Sequence, residues 1–217
     1  MSALAQSIER IYTAFADVPK PRVIDGCPCC IDGKHVDVLL ATPLREIHSE
    51  DLSPYAFSAF LTVGGAEDYP YFLPRILELS ATDDAAMPDI EVTGRAIGSC
   101  DPNSWPPARK EALRDCLFAV IADVLQCGAF EKLDDWICAI ARMGFEVGPH
   151  LEQIEGVPAA VLAYFEFNED CLPQNKLCNA FWELPSASHD EIVRWFHSER
   201  IRRIPFDAYG YGPNASG

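Results

Sequence analysis

The stretch SWPPARKEALRDCLFAVIADVLQCG, residues 104–128, carries the strongest helical pattern in the chain. Ser104 is a residue type that caps helix N-termini, and Pro106 and Pro107 suit a first helical turn. Gly128 follows the last apolar position, where glycine commonly ends a helix. The pattern therefore predicts one long helix with a broad buried face, which consists of Leu113, Leu117, Val120, Ile121, Val124 and Leu125.

Helical periodicity continues on both sides of this segment, whereas the alternation typical of strands is nearly absent. Short amphipathic helices must stack on their neighbours to bury their apolar faces. We therefore expect an all-α fold, an array or bundle of about nine short antiparallel helices, of which an irregular helical-repeat-like layer is one form. Besides 104–128, the predicted helices cover 4–15, 35–41, 49–64, 68–79, 89–97, 130–144, 157–165, 174–181 and 188–201.

The chain length of 217 residues favours a single domain. We expect one helical domain over 1–217, with a first half, 1–108, that contains a cysteine-rich loop and a helical hairpin. A glycine pair, Gly64 and Gly65, separates the two hairpin helices. The second half, 109–217, is predicted to be helical up to a tail that starts at about residue 205.

The charge balance narrows the classes of partner. There are 17 basic and 33 acidic residues, which gives a formal net charge of −16. Such a chain repels nucleic acid phosphates and anionic membrane surfaces, so neither is expected as a partner. The opening residues also lack the cationic start and apolar stretch of a secretory signal, and we expect a cytoplasmic protein.

The sequence Gly-Cys-Pro-Cys-Cys at residues 26–30 is the motif most suited to chemistry. Cysteines at positions 27 and 30 of a tight turn are able to reach one zinc ion, which prefers thiolate and imidazole ligands. The candidate metal ligands are Cys27, Cys29, Cys30 and His35, with zinc as a possible structural ion. Since a second ligand pair is missing from the pattern, the alternative that these cysteines pack in the core remains open.

A third interpretation of the motif is a redox-active thiol at Cys29 or Cys30. The nearby acidic residues Asp25 and Asp32 are expected to raise a thiol pKa, whereas reactivity requires a lowered one.

Outside the motif, Cys171 and Cys178 are predicted to be core cysteines, because Pro173 argues against a helix that presents both on one face. The five histidines are expected to be exposed or to cap helices, and the arginines at 200, 202 and 203 to sit at a helix C-terminus.

Several short motifs in the first half of the chain resemble a family of uncharacterised bacterial proteins. They are Gly-Cys-Pro-Cys-Cys at 26–30, Thr-Pro-Leu-Arg at 42–45, Leu-Thr-Val-Gly at 61–64 and Asp-Tyr-Pro-Tyr-Phe-Leu-Pro-Arg-Ile-Leu-Glu-Leu at 68–79. The sequence Asp-Leu-Ser-Pro-Tyr-Ala-Phe at 51–57 belongs to the same set, which extends to the Trp-Pro pair at 105–106. The resemblance implies a bacterial cytoplasmic protein and no particular activity.

Two classes of function compete on these observations. The acidic surface favours a non-enzymatic protein-binding module that captures a basic partner, for example an immunity or antitoxin-type protein. The alternative is a metal-dependent hydrolase in which Cys27, Cys30 and a third ligand activate water. Thiolate-rich zinc sites are usually closed and structural, so binding is preferred over catalysis. A structural scaffold subunit is a further alternative.

Overall fold

The computed structural model describes residues 2–82 and 86–209. Within these ranges the regular structure is helical, apart from two isolated β-bridges. The expected all-α fold class is therefore confirmed, with eleven α-helices in the described residues where about nine were predicted. They are α1 (Ala3–Ala14), α2 (Gly33–Ala41), α3 (Ser49–Ser58), α4 (Tyr69–Thr82), α5 (Ile90–Ser99), α6 (Pro107–Cys127), α7 (Leu133–Arg142), α8 (Gly148–Glu155), α9 (Pro158–Asn168), α10 (Ala187–His197) and α11 (Glu199–Tyr209).

The chain separates into two compact units. The first comprises Met1–Val120 with Arg142–Phe145, and the second comprises Ile121–Ala141 with Glu146–Gly217. The division falls inside α6, whereas the sequence suggested two halves of one domain that meet at residue 108. A helix of 21 residues is about 31 Å long, so its two ends are able to serve two different cores.

Aromatic side chains of α3 and α4 form the centre of the first unit. Tyr55, Tyr69 and Phe72 are fully buried, and the ring centroids of Tyr55 and Phe72 lie 4.9 Å apart. Rings of this size bury about 150–250 Å² each, so they dominate the energetics of the core. Helix α1 contacts α4, α2 contacts α3, and α5 contacts both helices of the pair.

A buried amide organises the second unit. The Asn168 Nδ2 group donates to Asp134 Oδ1 at 3.1 Å and to the carbonyl of Tyr164 at 3.2 Å, and Asn168 Oδ1 accepts from the Cys178 N–H at 2.8 Å. This network ties α7 and α9 to the loop that follows α9. Among the helices, α9 contacts α8 and α11, and α10 contacts α8 and α11.

Local capping rules succeed at one predicted helix start and fail at another. Ser2 caps α1, because its Oγ accepts from the Ala5 N–H at 3.1 Å. Ser104 does not cap α6. It ends a 3-10 turn, Pro102–Ser104, and its hydroxyl donates to the Asp101 carbonyl at 2.8 Å, so α6 begins three residues later at Pro107.

The second half of the chain differs from the sequence prediction at three places. Helix α8 was missed because Gly148 and Pro149 are residues typical of a loop, yet a proline near the start of a helix is favourable. The helix predicted at 174–181 is absent from the described residues, where a 3-10 turn, Leu172–Gln174, is followed by turns. The helix predicted at 188–201 is present but divided, since α10 ends at His197 and α11 begins at Glu199 and occupies the first part of the predicted tail. Residues 210–217 of that tail lie outside the described residues.

The cysteine pair of the second unit is also a correction. Cys171 and Cys178 form a disulfide with their Cα atoms 5.5 Å apart, whereas the sequence suggested two core cysteines. Asn175 has a left-handed backbone (φ 55°), which turns the chain back and brings the two cysteines within bonding distance.

Two of the five histidines contradict the expectation of exposed or capping side chains. His150 and His189 are 2% and 3% exposed. Burial lowers the pKa of His150 to about 4. Neither residue belongs to the cysteine motif.

No helix in the described part of the chain has both the length and the apolar character needed to cross a membrane.

Candidate metal-binding site

The cysteine motif is held in place by a second loop that is distant in sequence. This supporting loop, residues 59–64, follows α3 directly. The Cys27 N–H donates to the Thr62 carbonyl at 2.8 Å, and the Gly64 N–H donates to the Asp25 carbonyl at 2.7 Å. Gly26 and Val63 form an antiparallel bridge between these two bonds. The backbone on the N-terminal side of the cysteines is therefore attached to the first unit.

The motif itself folds as a tight turn. The Cys27 carbonyl accepts from the Cys30 N–H at 2.9 Å and from the Ile31 N–H at 3.2 Å. Pro28 occupies the second position of this turn, where its restricted φ angle is favourable. Ile31, the next residue, is buried and anchors the C-terminal side of the turn. The side chains of Cys27 and Cys30 are consequently presented from the two ends of one turn.

The three sulfur atoms of the motif converge. The Sγ atoms of Cys27, Cys29 and Cys30 all lie within 4.8 Å of one another, and those of Cys29 and Cys30 are 3.7 Å apart. In a tetrahedral zinc site with Zn–S bonds of about 2.3 Å, neighbouring sulfurs lie about 3.8 Å apart. The distance between the Cys29 and Cys30 sulfurs matches this value. Cys29 is exposed and the other two cysteines are partly buried, so an ion can reach the cluster from solvent.

Mutual hydrogen bonding makes the three thiols unequal. The pKa of Cys27 is lowered, first because the Cys29 thiol donates to its sulfur and second because the Cys29 backbone N–H does so. The pKa of Cys29 is raised to about 11, first by its hydrogen bond to Cys27 and then by that to Cys30. Cys27 therefore loses its proton more readily than Cys29. The raised pKa expected for Cys29 is found, but its cause is the neighbouring sulfurs and not Asp25 or Asp32.

His35, the fourth predicted ligand, does not join the cluster. Its Nδ1 atom lies 3.0 Å from Asp32 Oδ1, and its backbone N–H donates to the same oxygen at 2.9 Å. Asp32 is the N-cap of α2, and these hydrogen bonds lower its pKa, the backbone bond more than the bond to the ring. The structure thus brings together three of the four predicted ligands. The histidine lies at the start of α2, where it contacts the capping residue Asp32.

The buried carboxylate of Asp68 holds the supporting loop from the protein interior. The sequence analysis did not identify this residue. Asp68 is buried, and its Oδ2 accepts from the Tyr55 hydroxyl at 2.6 Å while its Oδ1 accepts from the Gly65 N–H at 2.8 Å. The signal that could have revealed it is an acidic residue three positions after a glycine pair, since short acidic side chains commonly bond to the backbone of a turn.

The supporting loop also contains an unusual backbone conformation. Phe60 has a φ of 62°, a left-handed value that costs a non-glycine residue about 1–2 kcal/mol. Its N–H donates to the Val63 carbonyl at 3.2 Å, and its ring lies edge-on to Tyr69 with centroids 5.5 Å apart. The aromatic core therefore holds the loop in the conformation that presents the Thr62 carbonyl to Cys27.

Comparison of the chain with protein families, with curated proteins and with solved structures finds no match in any of the three. The cysteine cluster is thus the feature from which a function is inferred. Four cysteines elsewhere in the described residues form no disulfide, and one of them, Cys127, is exposed; the other three are Cys100, Cys116 and Cys138.

Proposed function

We propose that this chain binds a thiophilic metal ion through Cys27, Cys29 and Cys30. The observation that carries the proposal is the convergence of three sulfur atoms within 4.8 Å on one anchored turn. Thiol groups on a flexible loop would have to be ordered by the ion itself, which costs conformational entropy. Here the backbone hydrogen bonds to Thr62 and Asp25 meet part of that cost before the ion arrives.

The donor set favours binding over catalysis. Hydrolytic zinc is usually held by histidine and carboxylate ligands, with an open position for water. The cluster offers sulfur ligands only, because the His35 ring is bonded to Asp32. We therefore place the hydrolase alternative second and assign the ion a structural or carrier role.

Capture of a basic protein partner remains a prediction. It rests on the net charge of −16, a property of composition that does not select a surface of the molecule. A scaffold role likewise remains a prediction. Both are compatible with metal binding, because a bound ion would stiffen the turn between α1 and α2 without occupying the rest of the surface.

The experiment is a measurement of metal content by plasma emission spectrometry on protein purified without chelator or metal-binding tag. We expect about one thiophilic ion per chain, which is lost in the double variant Cys27→Ser, Cys30→Ser. The matched control is Cys127→Ser, which removes an exposed thiol outside the cluster and should leave the metal content unchanged.

Two results would overturn the proposal of metal binding at the cluster. If the wild-type protein contains no metal and takes up none when zinc or copper(I) is supplied under reducing conditions, the proposal is wrong. Equal metal contents in the double variant and the Cys127→Ser control would also overturn it, because the ion would then lie elsewhere in the chain.

A further inference from the structure

The donor set of the cluster ends at three sulfur atoms. Structural zinc almost always takes four protein ligands in a tetrahedron. Among the described residues, the group of possible ligands within 4.8 Å of one another comprises Cys27, Cys29 and Cys30. A zinc ion held here would be one protein ligand short.

His35, the predicted fourth ligand, has another role. His35 contributes both its ring Nδ1 and its backbone N–H to the carboxylate of Asp32, which caps α2. Withdrawing the ring toward the sulfurs would give up the ring contact with the cap. The cysteine turn cannot easily shift toward the histidine either, because the Cys27 N–H is bonded to Thr62.

We infer that the site selects copper(I), a soft ion that is satisfied by three thiolates in a plane, over zinc(II). This inference rests on the proposed function. Soft thiolate ligands suit copper(I) as well as zinc, and the two ions differ in that zinc requires a fourth ligand, which the cluster does not supply. For an ion in the plane of three sulfurs, with metal–sulfur bonds of about 2.3 Å as for zinc, the sulfurs lie about 4.0 Å apart. The 3.7 Å between the Cys29 and Cys30 sulfurs is compatible with this planar arrangement and with a tetrahedral one, so the choice of metal rests on the number of ligands and not on their spacing.

The surroundings of the turn are acidic and attract metal cations. Asp25 and Asp32 flank the turn and are exposed, and the whole chain is acidic. A negative surface attracts cations of either metal and raises their local concentration. Binding is a ligand exchange without a redox step: each Cu–S bond that forms replaces an S–H bond or captures the existing thiolate, and each proton released goes to the buffer.

Access to the cluster indicates an exchangeable ion. Cys29 is exposed, whereas structural metal sites are usually enclosed by the fold around them. A competing thiol from solvent or from another protein can therefore approach the ion at Cys29. The same exposure allows copper(I) to be loaded into the folded protein.

The test is an anaerobic titration of the full chain with copper(I) and with zinc(II), each in competition with a chromophoric chelator, followed by X-ray absorption spectroscopy of the loaded protein. We expect the first equivalent of copper(I) to have three sulfur ligands and to resist displacement by equimolar zinc(II). Cys29→Ser should weaken copper(I) binding by at least the roughly 10- to 100-fold caused by losing a second-shell partner.

Two control variants sharpen the result. His35→Ala removes the possible nitrogen ligand but keeps the backbone N–H that bonds to Asp32, and it should leave copper(I) affinity unchanged. Cys127→Ser should also leave it unchanged. A nitrogen ligand in the absorption spectrum, a loss of affinity in His35→Ala, or displacement of copper(I) by zinc(II) would overturn the copper assignment while metal binding itself stands. Binding of neither ion would overturn the proposed function as well.

Discussion

Replacement of Gly64 by alanine should destabilise the first unit, whereas the same change at Gly65 should not. Gly64 has a φ of +55°, and an added Cβ would lie 2.2 Å from Asp68 Oδ2 and 2.8 Å from Tyr55 Cε2. At Gly65 an added Cβ would meet no atom within 4 Å. The two adjacent glycines therefore form a matched pair that differs in backbone conformation and in space.

The magnitude at Gly64 follows from two costs. A left-handed backbone costs an alanine about 1–2 kcal/mol. Overpacking costs a further 1–3 kcal/mol or so, and it cannot be relieved cheaply because the carboxylate of Asp68 is held by Tyr55 and by the Gly65 N–H. We expect Gly64→Ala to lose about 2–5 kcal/mol of unfolding free energy. Gly65→Ala should stay within about 0.5 kcal/mol of the wild type.

The assay is urea unfolding monitored by circular dichroism, combined with a metal-binding titration of each variant. Because the Gly64 N–H also donates to Asp25 beside the cysteine motif, Gly64→Ala should weaken metal binding, and Gly65→Ala should leave it unchanged. Equal unfolding free energies for the two variants would refute the steric reasoning. A destabilised Gly64→Ala protein with unchanged metal affinity would show that the supporting loop does not hold the cysteine turn.

Two further predictions concern the second unit. The double variant Cys171→Ser, Cys178→Ser opens a loop with a sequence separation of 7, and the gain in chain entropy of the unfolded state predicts a loss of about 2.4 kcal/mol of unfolding free energy, measured by urea unfolding. A reductant should destabilise the wild type but not the variant. An equal effect of the reductant on both proteins would contradict the prediction. The pKa of His150 is lowered to about 4 by burial, below its ordinary value of 6.5, so the unfolded chain binds an extra proton between these values and stability falls as the pH drops from 6.5 to 4. The loss of unfolding free energy is on the order of 2–3 kcal/mol. Unfolding measured at pH 7, 5 and 4 should show a shallower pH dependence of stability for His150→Gln than for the wild type. The same pH dependence in both proteins would rule out His150 as its source.

Local patterns predicted the helical class and most of the helices. The apolar period of residues 113–125 marks α6, and the glycine pair after residue 63 marks the turn between α3 and α4. These signals are readable because a helix is stabilised by bonds between residues four apart, and its buried stripe repeats every three to four residues. Errors appear where one such signal is ambiguous, as at Gly148 and Pro149, which end many helices but begin α8.

The motif also identified the three cysteines of the candidate site, because thiol ligands at short spacing are a local pattern. Their convergence depends on the supporting loop, whose Thr62 carbonyl is 35 positions away from Cys27 in the sequence. The loss of His35 from the ligand set depends on the cap of α2, where Asp32 competes for the ring.

The remaining features were decided by tertiary structure. The disulfide between Cys171 and Cys178 requires the left-handed turn at Asn175, and the buried amide of Asn168 holds the residue that follows that turn. None of these contacts produces a repeating pattern in the sequence. Each joins two groups whose separation along the chain depends on the fold, whereas helix and strand patterns come from a repeating backbone geometry. The sequence thus determined which segments are helical and which residues carry thiols, and packing between distant segments decided which of those residues meet.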